Sequence, residues 1–337
     1  MWGRIYYNKR YDDIYARASS DQRREKLNSE NEGWIVMQLA NEAIYCKIIC
    51  GDSQKVLPTL SEKAQLIVTS PPYADARKSH YDSIHPDKYA TWFIDFHRPF
   101  WNVLDDNGSF ILNIKDKIVN GIRHRFVWET ILSLEEAGWK SIDDYIWYKT
   151  NPMPGYWPNR LRDGWEYCFH LAKTLKPRIY QENVKVPIGG WTEARLSNLK
   201  DKARHNSANK SGFGRDLRNW VDKEKVLPSN VLKLSEPEEQ EELTPTNVID
   251  LALVGKNYHH PAVFPVGLPA FFIRLFTEEG GLVIDPFSGS GTTGIAAINL
   301  NRNSILIDNN EEYCQIAYKR IKEESNLNGT LVIKEGF

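Results

Sequence analysis

Short runs of apolar residues alternate with longer stretches of mixed apolar and polar residues along most of the chain. A short apolar run bounded by polar or turn-forming residues predicts a strand that is buried on both faces, as in a parallel sheet. Seven runs have this form: Ile44–Ile49, Leu66–Thr69, Ser109–Ile114, Ile142–Trp147, Trp165–Leu171, Gly281–Ile284 and Ser304–Asp308. We predict that these runs are the strands of one sheet.

Helical patterns lie between the predicted strands. Four helices are predicted: Asp87–Leu104, Arg123–Ala137, Thr292–Leu300, and 310–322 with Asn310 as its cap. Gly108 and Gly138 are predicted to stop the first two helices. Because strand and helix alternate, the predicted fold class is α/β, with a doubly wound and mostly parallel sheet.

The order of these elements predicts a permuted fold. Residues 281–308 have the strand, turn, helix and strand of a nucleotide-binding unit, so the other strands of its sheet must precede it. Prolines, glycines and basic residues interrupt the alternation before that unit, which predicts an inserted recognition region. The predicted divisions are an extension (1–40), a catalytic half (41–175), a target-recognition region (176–255), a cofactor-binding half (256–325) and a tail (326–337).

Composition restricts the setting more than the function. The 337 residues are 41% hydrophobic, which is enough for a large core, and no apolar stretch approaches the roughly 18 residues that span a bilayer. The start lacks the apolar block of a signal peptide, so we expect a cytoplasmic protein with no membrane partner. The four cysteines include no Cys-x-x-Cys pair, and we expect no metal site.

A late motif, Asp285-Pro286-Phe287-Ser288-Gly289-Ser290-Gly291-Thr292-Thr293-Gly294, follows a predicted strand and opens a helix. We call residues 288–294 the glycine loop. Its glycines let the backbone approach a ligand, and the spacing to Asp308 fits a nicotinamide dinucleotide or S-adenosylmethionine. Asp285 favours S-adenosylmethionine, because a carboxylate there would attract the ammonium of the methionine part and repel a pyrophosphate. We predict cofactor contacts from Gly289, Ser290, Gly291, Thr292 and Thr293.

An early motif, Ser70-Pro71-Pro72-Tyr73, follows the strand Leu66–Thr69 and predicts a pocket for an exocyclic amino group. We call residues 70–75 the Ser70 loop. The nitrogen of such a group is a poor nucleophile, and two acceptors aimed at its hydrogens would localise its lone pair. The Ser70 hydroxyl and the Pro71 carbonyl are suitable acceptors. Pro72 stiffens the loop, and Tyr73 offers a ring on which a flipped base could stack.

In this order the motifs resemble the amino-methyltransferases of DNA, specifically the permuted β group, over residues 44–325. Three further segments carry the resemblance: Gly51-Asp52, Ile146-Trp147-Tyr148-Lys149 and Pro261-Ala262-Val263-Phe264-Pro265. The resemblance implies a seven-stranded sheet with helices on both faces, and S-adenosylmethionine as the methyl donor. It also implies cofactor contacts from Asp52 (adenine), Phe264 and Pro265 (methionine side), Asp285 (ammonium), Asp308 (ribose) and Phe287, which would pack against the cofactor.

Within that family, serine at the first catalytic position goes mainly with cytosine-N4 targets and aspartate mainly with adenine-N6. The resemblance therefore implies sequence-specific methylation of cytosine-N4 in double-stranded DNA, with adenine-N6 as the alternative and a restriction endonuclease as an expected partner. Methylation of the cytosine ring carbon would need a cysteine after proline, and the chain has no Pro-Cys. An NAD-dependent dehydrogenase and a DNA-binding protein without activity are more distant alternatives.

Contact with DNA would have to be local, because the net charge of the chain is −1. The segment 195–225 interleaves arginine and lysine with serine, asparagine and glycine, which suits contact with phosphates. The predicted DNA-binding residues are Arg77, Lys78, Arg195, Lys200, Lys202, Arg204, Lys210, Arg215 and Arg218.

Overall fold

The computed structural model of the protein describes residues 34–37, 44–75, 84–149, 158–161, 163–187, 225–232, 264–325 and 330–334. The chain divides into two units, Met1–Gly33 and Trp34–Phe337, and the first lies outside the described residues. The second unit is built on one large sheet.

The strands of the described residues are β1 (Trp34–Met37), β2 (Tyr45–Cys50), β3 (Ala64–Thr69), β4 (Leu104–Ile114), β5 (Ile118–Val119), β6 (Ile122–Arg123), β7 (Lys140–Tyr148), β8 (Trp165–Ala172), β9 (Val186–Pro187), β10 (Lys225–Val226), β11 (Val231–Leu232), β12 (Leu282–Asp285), β13 (Asn303–Asp308) and β14 (Thr330–Lys334). The α-helices are α1 (Ser53–Val56), α2 (Pro86–Phe93), α3 (His97–Val103), α4 (Phe126–Glu136), α5 (Gly267–Phe276), α6 (Thr292–Asn299) and α7 (Glu311–Glu324).

The large sheet has the order β1-β14-β2-β13-β12-β3-β4-β8-β7-β11. The pairings from β14 through β4 are parallel, and so is the pairing of β7 with β11. The remaining strands pair antiparallel, with β8 between β4 and β7 and with β1 on β14. The sheet is therefore mostly parallel, as the alternation of elements predicts, and its strands follow the permuted order.

The sheet has ten strands among the described residues, which corrects the expected number of seven. The seven predicted strands are all present and form the contiguous block β2-β13-β12-β3-β4-β8-β7. Three further strands extend this block: β1 and β14 at one side and β11 at the other. They are short runs inside the segments that the sequence pattern assigns to the extension, the tail and the recognition region, so the pattern alone does not separate them from loops.

Successive residues of the central strands are buried on opposite faces of the sheet. Ile67 of β3 belongs to the same apolar cluster as Phe93 of α2 and Phe100 of α3. The neighbouring Leu66 belongs to the cluster that contains Phe272 of α5. Side chains point to alternate faces along a strand, so helices cover both faces and the sheet is doubly wound. None of the helices in the described part of the chain has the length and apolarity that a membrane crossing requires.

The helix predicted over Asp87–Leu104 is interrupted and ends one residue early. It consists of α2, a 3-10 turn over Ile94–Phe96 and α3, and Leu104 already starts β4. The prediction that Gly108 stops this helix is wrong, because Gly108 lies within β4. A Cβ at Gly108 would come 2.8 Å from Leu104 Cδ1 and 3.0 Å from the carbonyl oxygen of Gln65 on β3. The glycine thus permits close approach of two strands where their register shifts.

Helix α5 is not among the predicted helices, although it is one of the most apolar elements. Its first turn contains Gly267 and Pro269, two residue types that are typical of loops. Proline is tolerated in the first turn, because the N–H groups there have no partner within the helix. Leu268, Phe272 and Phe276 of α5 are buried against the sheet.

Candidate active site

The carboxyl ends of β3 and β12 lie side by side because the two strands are parallel neighbours. β3 ends at Thr69, directly before Ser70, and β12 ends at Asp285. The Thr69 hydroxyl donates to Oδ1 of Asp285 at 2.6 Å, and the Thr293 hydroxyl donates to Oδ2 at 2.6 Å. One carboxylate therefore joins the Ser70 loop to the glycine loop, although Thr69 and Asp285 are 216 positions apart.

Asp285 is deeply buried, with an exposed fraction of 1%. The backbone N–H of Phe287 also donates to its Oδ1, at 3.1 Å. Burial raises the pKa of Asp285 to about 6, and this effect outweighs the lowering by its three hydrogen bonds. A carboxylate has about four acceptor positions. The predicted contact with a cofactor ammonium would have to use the remaining one.

Asp308, at the carboxyl end of β13, holds the start of the glycine loop. Its Oδ2 accepts from the N–H of Gly289 at 2.8 Å, and its Oδ1 accepts from the N–H of Asn310 at 2.9 Å. Burial raises the pKa of Asp308, while these two hydrogen bonds lower it. Gly289 has a φ of 49° and Gly291 a φ of 81°, so both adopt the left-handed conformation that favours glycine.

Arg320 of α7 supports the glycine loop, and no motif in the sequence predicts this. Its Nη1 donates to the carbonyl of Ser290 at 2.9 Å, to the Ser290 hydroxyl at 2.7 Å and to the Thr292 hydroxyl at 3.2 Å. Its Nη2 pairs with Glu324 at 3.1 Å. The signal in the sequence is the phase of the helix: Arg320 shares the buried face of α7 with Ala317 and is 5% exposed.

The glycine loop fits the polar end of a small ligand. The Ser288 hydroxyl is buried and has no hydrogen-bond partner among the described residues, which is unusual for a buried polar group. It lies next to Gly289, whose N–H is turned toward Asp308, and before the N-terminus of α6. A buried hydroxyl without a partner at a helix N-terminus suits a ligand with its own donors and acceptors, such as the methionine part of S-adenosylmethionine.

Asp52 lies at the carboxyl end of β2, beside Asp308. The N–H of Gly51 donates to the carbonyl of Asp308 at 2.8 Å, and the Asp52 carboxylate accepts from the N–H of Gln54 at 3.0 Å as the cap of α1. The Ser53 hydroxyl donates to the carbonyl of Pro286. The structure thus brings the predicted adenine, ribose and methionine positions to neighbouring strand ends, as expected for a ligand at the carboxyl edge of a parallel sheet.

Three predicted cofactor residues are held by apolar packing. The Phe287 ring lies 5.0 Å from the ring of Phe96 and 6.1 Å from that of Trp92, measured between centroids. Phe264 is half-buried against the cluster around α5, and Pro265 is buried just before that helix. Their contacts with a cofactor stay predictions.

Helix α2 holds the Ser70 loop from one side. The Tyr89 hydroxyl donates to the carbonyl of Pro72 at 2.9 Å, so this carbonyl already has a donor. The N–H of Asp75 donates to the carbonyl of Ile84 at 2.9 Å, and Lys117 donates to the carbonyl of Asp75 at 2.7 Å. None of these three contacts uses the Pro71 carbonyl, and its role as an acceptor for the substrate stays a prediction.

The hydroxyl of Tyr73 points into the protein. It donates to Oε2 of Glu166 at 2.6 Å and lies 3.4 Å from Oδ1 of Asn113. The Ser70 hydroxyl lies 3.4 Å from the Tyr73 hydroxyl oxygen. Burial, and then the nearby Glu166 carboxylate, raise the pKa of Tyr73 well above its ordinary value. The sequence predicts Tyr73 as a stacking ring, and the structure adds a polar function for its hydroxyl.

Glu166 pairs with Lys149, and the sequence motifs predict neither residue for the site. The Lys149 ammonium donates to Oε1 of Glu166 and lies 4.8 Å from the ring centroid of Trp147. Glu166 is 3% exposed and Lys149 is 8% exposed. The signal in the sequence is a charged residue at an inward position of an otherwise apolar strand.

The predicted DNA-binding residues Arg77 and Lys78, and those from Arg195 to Arg218, lie outside the described residues. Within the described residues, no group of three or more histidine, cysteine, aspartate or glutamate side chains could hold a metal ion.

A doubly wound sheet of this strand order, with the glycine loop and the Ser70 loop at its carboxyl edge, is the architecture of an S-adenosylmethionine-dependent methyltransferase. The chain belongs to the DNA methylase family of N6 and N4 methyltransferases, whose pattern matches residues 64–319. S-adenosylmethionine is the methyl donor of such enzymes, which confirms the cofactor expected from the sequence. Membership of this family also confirms the resemblance and excludes a dehydrogenase.

Curated relatives cover most of the chain. The Type II methyltransferase M.PvuII of Proteus hauseri is 28% identical over 275 residues, which are 78% of this chain and 80% of the relative. The orphan methyltransferase M.BamHII of Bacillus amyloliquefaciens is 30% identical over 261 residues, which are 76% of this chain and 88% of the relative.

Solved structures share the fold. The PvuII DNA methyltransferase (cytosine-N4-specific) superposes with a TM-score of 0.57 at 22% identity, covering 87% of this chain and 97% of the other. A DNA modification methylase from Thermus thermophilus, solved as a complex with S-adenosyl-L-methionine and described as putative, superposes with a TM-score of 0.54 at 19% identity, covering 87% and 99%. Both agree with the α/β fold and the mostly parallel sheet.

Proposed function

We propose that this protein methylates the N4 amino group of a cytosine that is flipped out of double-stranded DNA, at a specific target sequence. The observation that carries the proposal is the shared carboxylate of Asp285. It binds Thr69 and Thr293, and so holds the amine-acceptor loop against the cofactor loop. A methyl donor bound at the glycine loop and an amino group bound at the Ser70 loop would then be close enough to react.

When bound, S-adenosylmethionine supplies the methyl group from its sulfonium sulfur. Asp308 and the N–H groups of the glycine loop would hold its ribose and methionine parts, with Asp52 near the adenine. Ser288 offers the buried hydroxyl that has no partner among the described residues. Arg320 fixes the loop from behind through Ser290 and Thr292, so that the loop is rigid before the ligand binds.

Ser70 and Pro71 act on the substrate. Their oxygens accept hydrogen bonds from the two hydrogens of the amino group, and this localises the nitrogen lone pair in the transition state. Only contacts that strengthen as the nitrogen becomes tetrahedral accelerate the reaction. The Ser70 loop is suited to this because Tyr89 and Lys117 fix its backbone before the substrate arrives.

Cytosine is favoured by serine at the first position of the motif and by the likeness to M.PvuII, whose solved structure carries the description cytosine-N4-specific. Methylation of adenine-N6 is the second candidate, because the family contains both activities.

The relatives that are Type II methyltransferases support a place in a restriction-modification system, in which the functional partner is a restriction endonuclease that cuts the same target sequence. The basic segment from Arg195 to Arg218, together with Arg77 and Lys78, is proposed to contact the DNA.

Mass spectrometry of nucleosides from DNA that was incubated with the protein and S-adenosylmethionine tests the base. We expect N4-methylcytosine, and N6-methyladenine as the sole product would contradict the proposal. Sequencing of the modified positions would then give the target sequence.

Substitution of Ser70 tests the acceptor role. Ser70→Ala should lower kcat by about a hundredfold, the usual cost of losing one preorganised polar contact in a transition state. The Kd for S-adenosylmethionine, measured by calorimetry, should stay unchanged. Ser133→Ala on α4 is the matched control and should keep full activity. Unchanged kcat in Ser70→Ala would remove Ser70 from the mechanism.

Substitution of Asp308 tests the cofactor role. Asp308→Ala should weaken the binding of S-adenosylmethionine about tenfold or more, because it loses a charge-assisted contact and the anchor of Gly289. Asp106→Ala, which removes a carboxylate with a 95% exposed side chain near the start of β4, is the control. Equal affinity in Asp308→Ala and wild type would refute the assignment.

A further inference from the structure

Polar side chains replace apolar ones on one face of the sheet, at the edge where the Ser70 loop begins. On β8, Cys168 is apolar and buried, and Glu166 comes two residues earlier on the same face. On β7, the buried Trp147 is followed by Lys149 with the same spacing. On β4, Asn113 pairs in register with Cys168. Because side chains on one face recur every second residue, these three polar groups converge on one spot.

The ion pair at this spot is costly to bury. Removing a carboxylate and an ammonium from water costs more free energy than their mutual attraction returns, unless further hydrogen bonds offset the desolvation cost. Glu166 and Lys149 are both buried, and apolar residues of similar volume would avoid this cost. A buried ion pair in contact with a catalytic loop therefore points to a function beyond stability.

The polarity of the hydrogen bonds supplies that function. Glu166 is a carboxylate in an ion pair, and a carboxylate accepts hydrogen bonds but has no hydrogen to donate. Lys149 and Asn113 donate to it from two sides. Tyr73, at 2.6 Å, must therefore direct its own hydrogen toward Glu166.

This direction fixes the next hydroxyl along. With its hydrogen committed to Glu166, the Tyr73 oxygen presents lone pairs to Ser70, whose hydroxyl lies 3.4 Å away. The Ser70 hydrogen can then point to Tyr73, and the Ser70 lone pairs remain for the substrate. The separation is long for a hydrogen bond, but catalytic contacts of this kind commonly tighten when the substrate binds.

We propose that Glu166 is a positioning residue, which acts with Lys149 through the Tyr73 hydroxyl to turn the lone pairs of Ser70 toward the substrate amino group. The inference rests on the proposed function, because it assigns an orientation to the acceptor of that reaction. Without this constraint the Ser70 hydroxyl could rotate its hydrogen toward the amino group, and the two donors would repel each other.

A double-mutant cycle tests the chain of contacts, with kcat, KM for DNA and Kd for S-adenosylmethionine measured for each variant. Glu166→Gln introduces an amide that can donate to Tyr73 and so reverse the polarity. We expect Glu166→Gln and Tyr73→Phe each to lower kcat by about tenfold, the worth of one hydrogen bond, with unchanged Kd and KM. Glu166→Gln in the Tyr73→Phe background should lower kcat less than about twofold further, because no hydroxyl remains to be directed.

The double substitution Lys149→Met with Glu166→Gln guards against misfolding, since it removes both buried charges together. We expect this double variant to unfold in one cooperative thermal transition, as a folded protein does. Its kcat should fall by the same factor as that of Glu166→Gln alone. Tyr145→Phe is the control for a buried tyrosine on β7: its ring packs against Phe272, and kcat should not change.

Independent, multiplying losses of kcat in the cycle would overturn the proposal, and so would an unchanged kcat in Glu166→Gln. A wild-type protein that methylates no DNA would instead overturn the proposed function, and with it this role. The two failures are distinguishable because the wild type is measured first.

Discussion

Two opposing effects act on the carboxylate of Asp285: its hydrogen bonds favour the charged form, and its burial disfavours it. It must accept hydrogen bonds from Thr69 and Thr293 to join the two loops, and it must do so at 1% exposure. Removal from water disfavours the charged form more than the three donors favour it, so its pKa is raised to about 6. The juxtaposition of the loops therefore carries a cost in stability at neutral pH.

The sign of this cost leads to a prediction for Asp285→Asn. Between about pH 4 and pH 6 the unfolded chain releases the proton of this carboxyl while the folded chain retains it, so wild-type stability falls as pH rises. The shift corresponds to about 3 kcal/mol at most, at about 1.4 kcal/mol for each pKa unit. The amide variant lacks this loss, because the threonine hydroxyls can bond an amide as well as a carboxylate.

Thermal melting of both proteins without cofactor, from about pH 4 to about pH 8, measures the effect. The melting temperature of Asp285→Asn relative to wild type should rise between about pH 4 and about pH 7 and then level off. Ser133→Ala, which changes no ionisable group, is the control, and its difference from wild type should not vary with pH. A difference for Asp285→Asn that is equally flat would show that the folded and unfolded pKa values coincide.

Single residues were predictable from the sequence where they belong to a motif. Ser70 and Asp285 follow apolar runs and adjoin proline or glycine, so their chemistry is visible without a structure. Glu166 and Arg320 have no such neighbours: one lies in a strand and the other in a helix that is rich in charged residues. The sequence pattern places each of them on a buried face, but only the fold shows that they contact the two loops.

At the scale of elements, helix α6 approaches α7 closely at Gly291. A Cβ at this position would lie 2.8 Å from Cβ and 3.1 Å from Cα of Ala317. The φ of Gly291 is also positive, at 81°, so two separate penalties oppose a side chain there. Gly280 has a similar φ of 75°, but a Cβ there would meet nothing within 4 Å.

These two glycines allow packing to be separated from backbone strain. Gly280→Ala should destabilise the protein by about 1 kcal/mol, from strain alone. Gly291→Ala should cost about 2–4 kcal/mol, because α6 and α7 must also move apart. Urea denaturation followed by circular dichroism measures both. Equal losses would mean that the contact between Gly291 and Ala317 relaxes freely.

The success of the sequence pattern also differed between elements. Central strands such as β3 and β13 were found because each is an uninterrupted apolar run between turn residues. Strand β14 was missed, because its partners β1 and β2 lie near the opposite end of the chain and only those pairings define it. Helix α5 was missed for a local reason: Pro269 lies in its first turn, and proline is a residue type that is typical of loops.

At the scale of the whole molecule, the permuted order interlocks the two ends of the chain. β12, from the second half, lies between β13 and β3, and β2, from the first half, lies between β13 and β14. The alternation of strand and helix was enough to predict a permuted α/β fold. It could not give the order of the strands, because that order depends on contacts between residues far apart in the sequence.

Interlocking predicts the behaviour of a chain that is cut once between residues 187 and 225. The two pieces should stay together on gel filtration and bind S-adenosylmethionine with an affinity close to that of the intact protein. The reason is that each piece supplies neighbours for strands of the other: β3 for β12, and β13 and β14 for β2. The piece 225–337 expressed alone should give the circular dichroism spectrum of an unfolded chain, because β12 and β13 would each lack a neighbour and their apolar faces would be exposed.

A protease site inserted between residues 187 and 225 makes the cut, and the uncut protein with the same insertion is the control. Pieces that separate without denaturant, each with its own cooperative melting, would show that the halves fold independently and that the sheet is not the unit of stability.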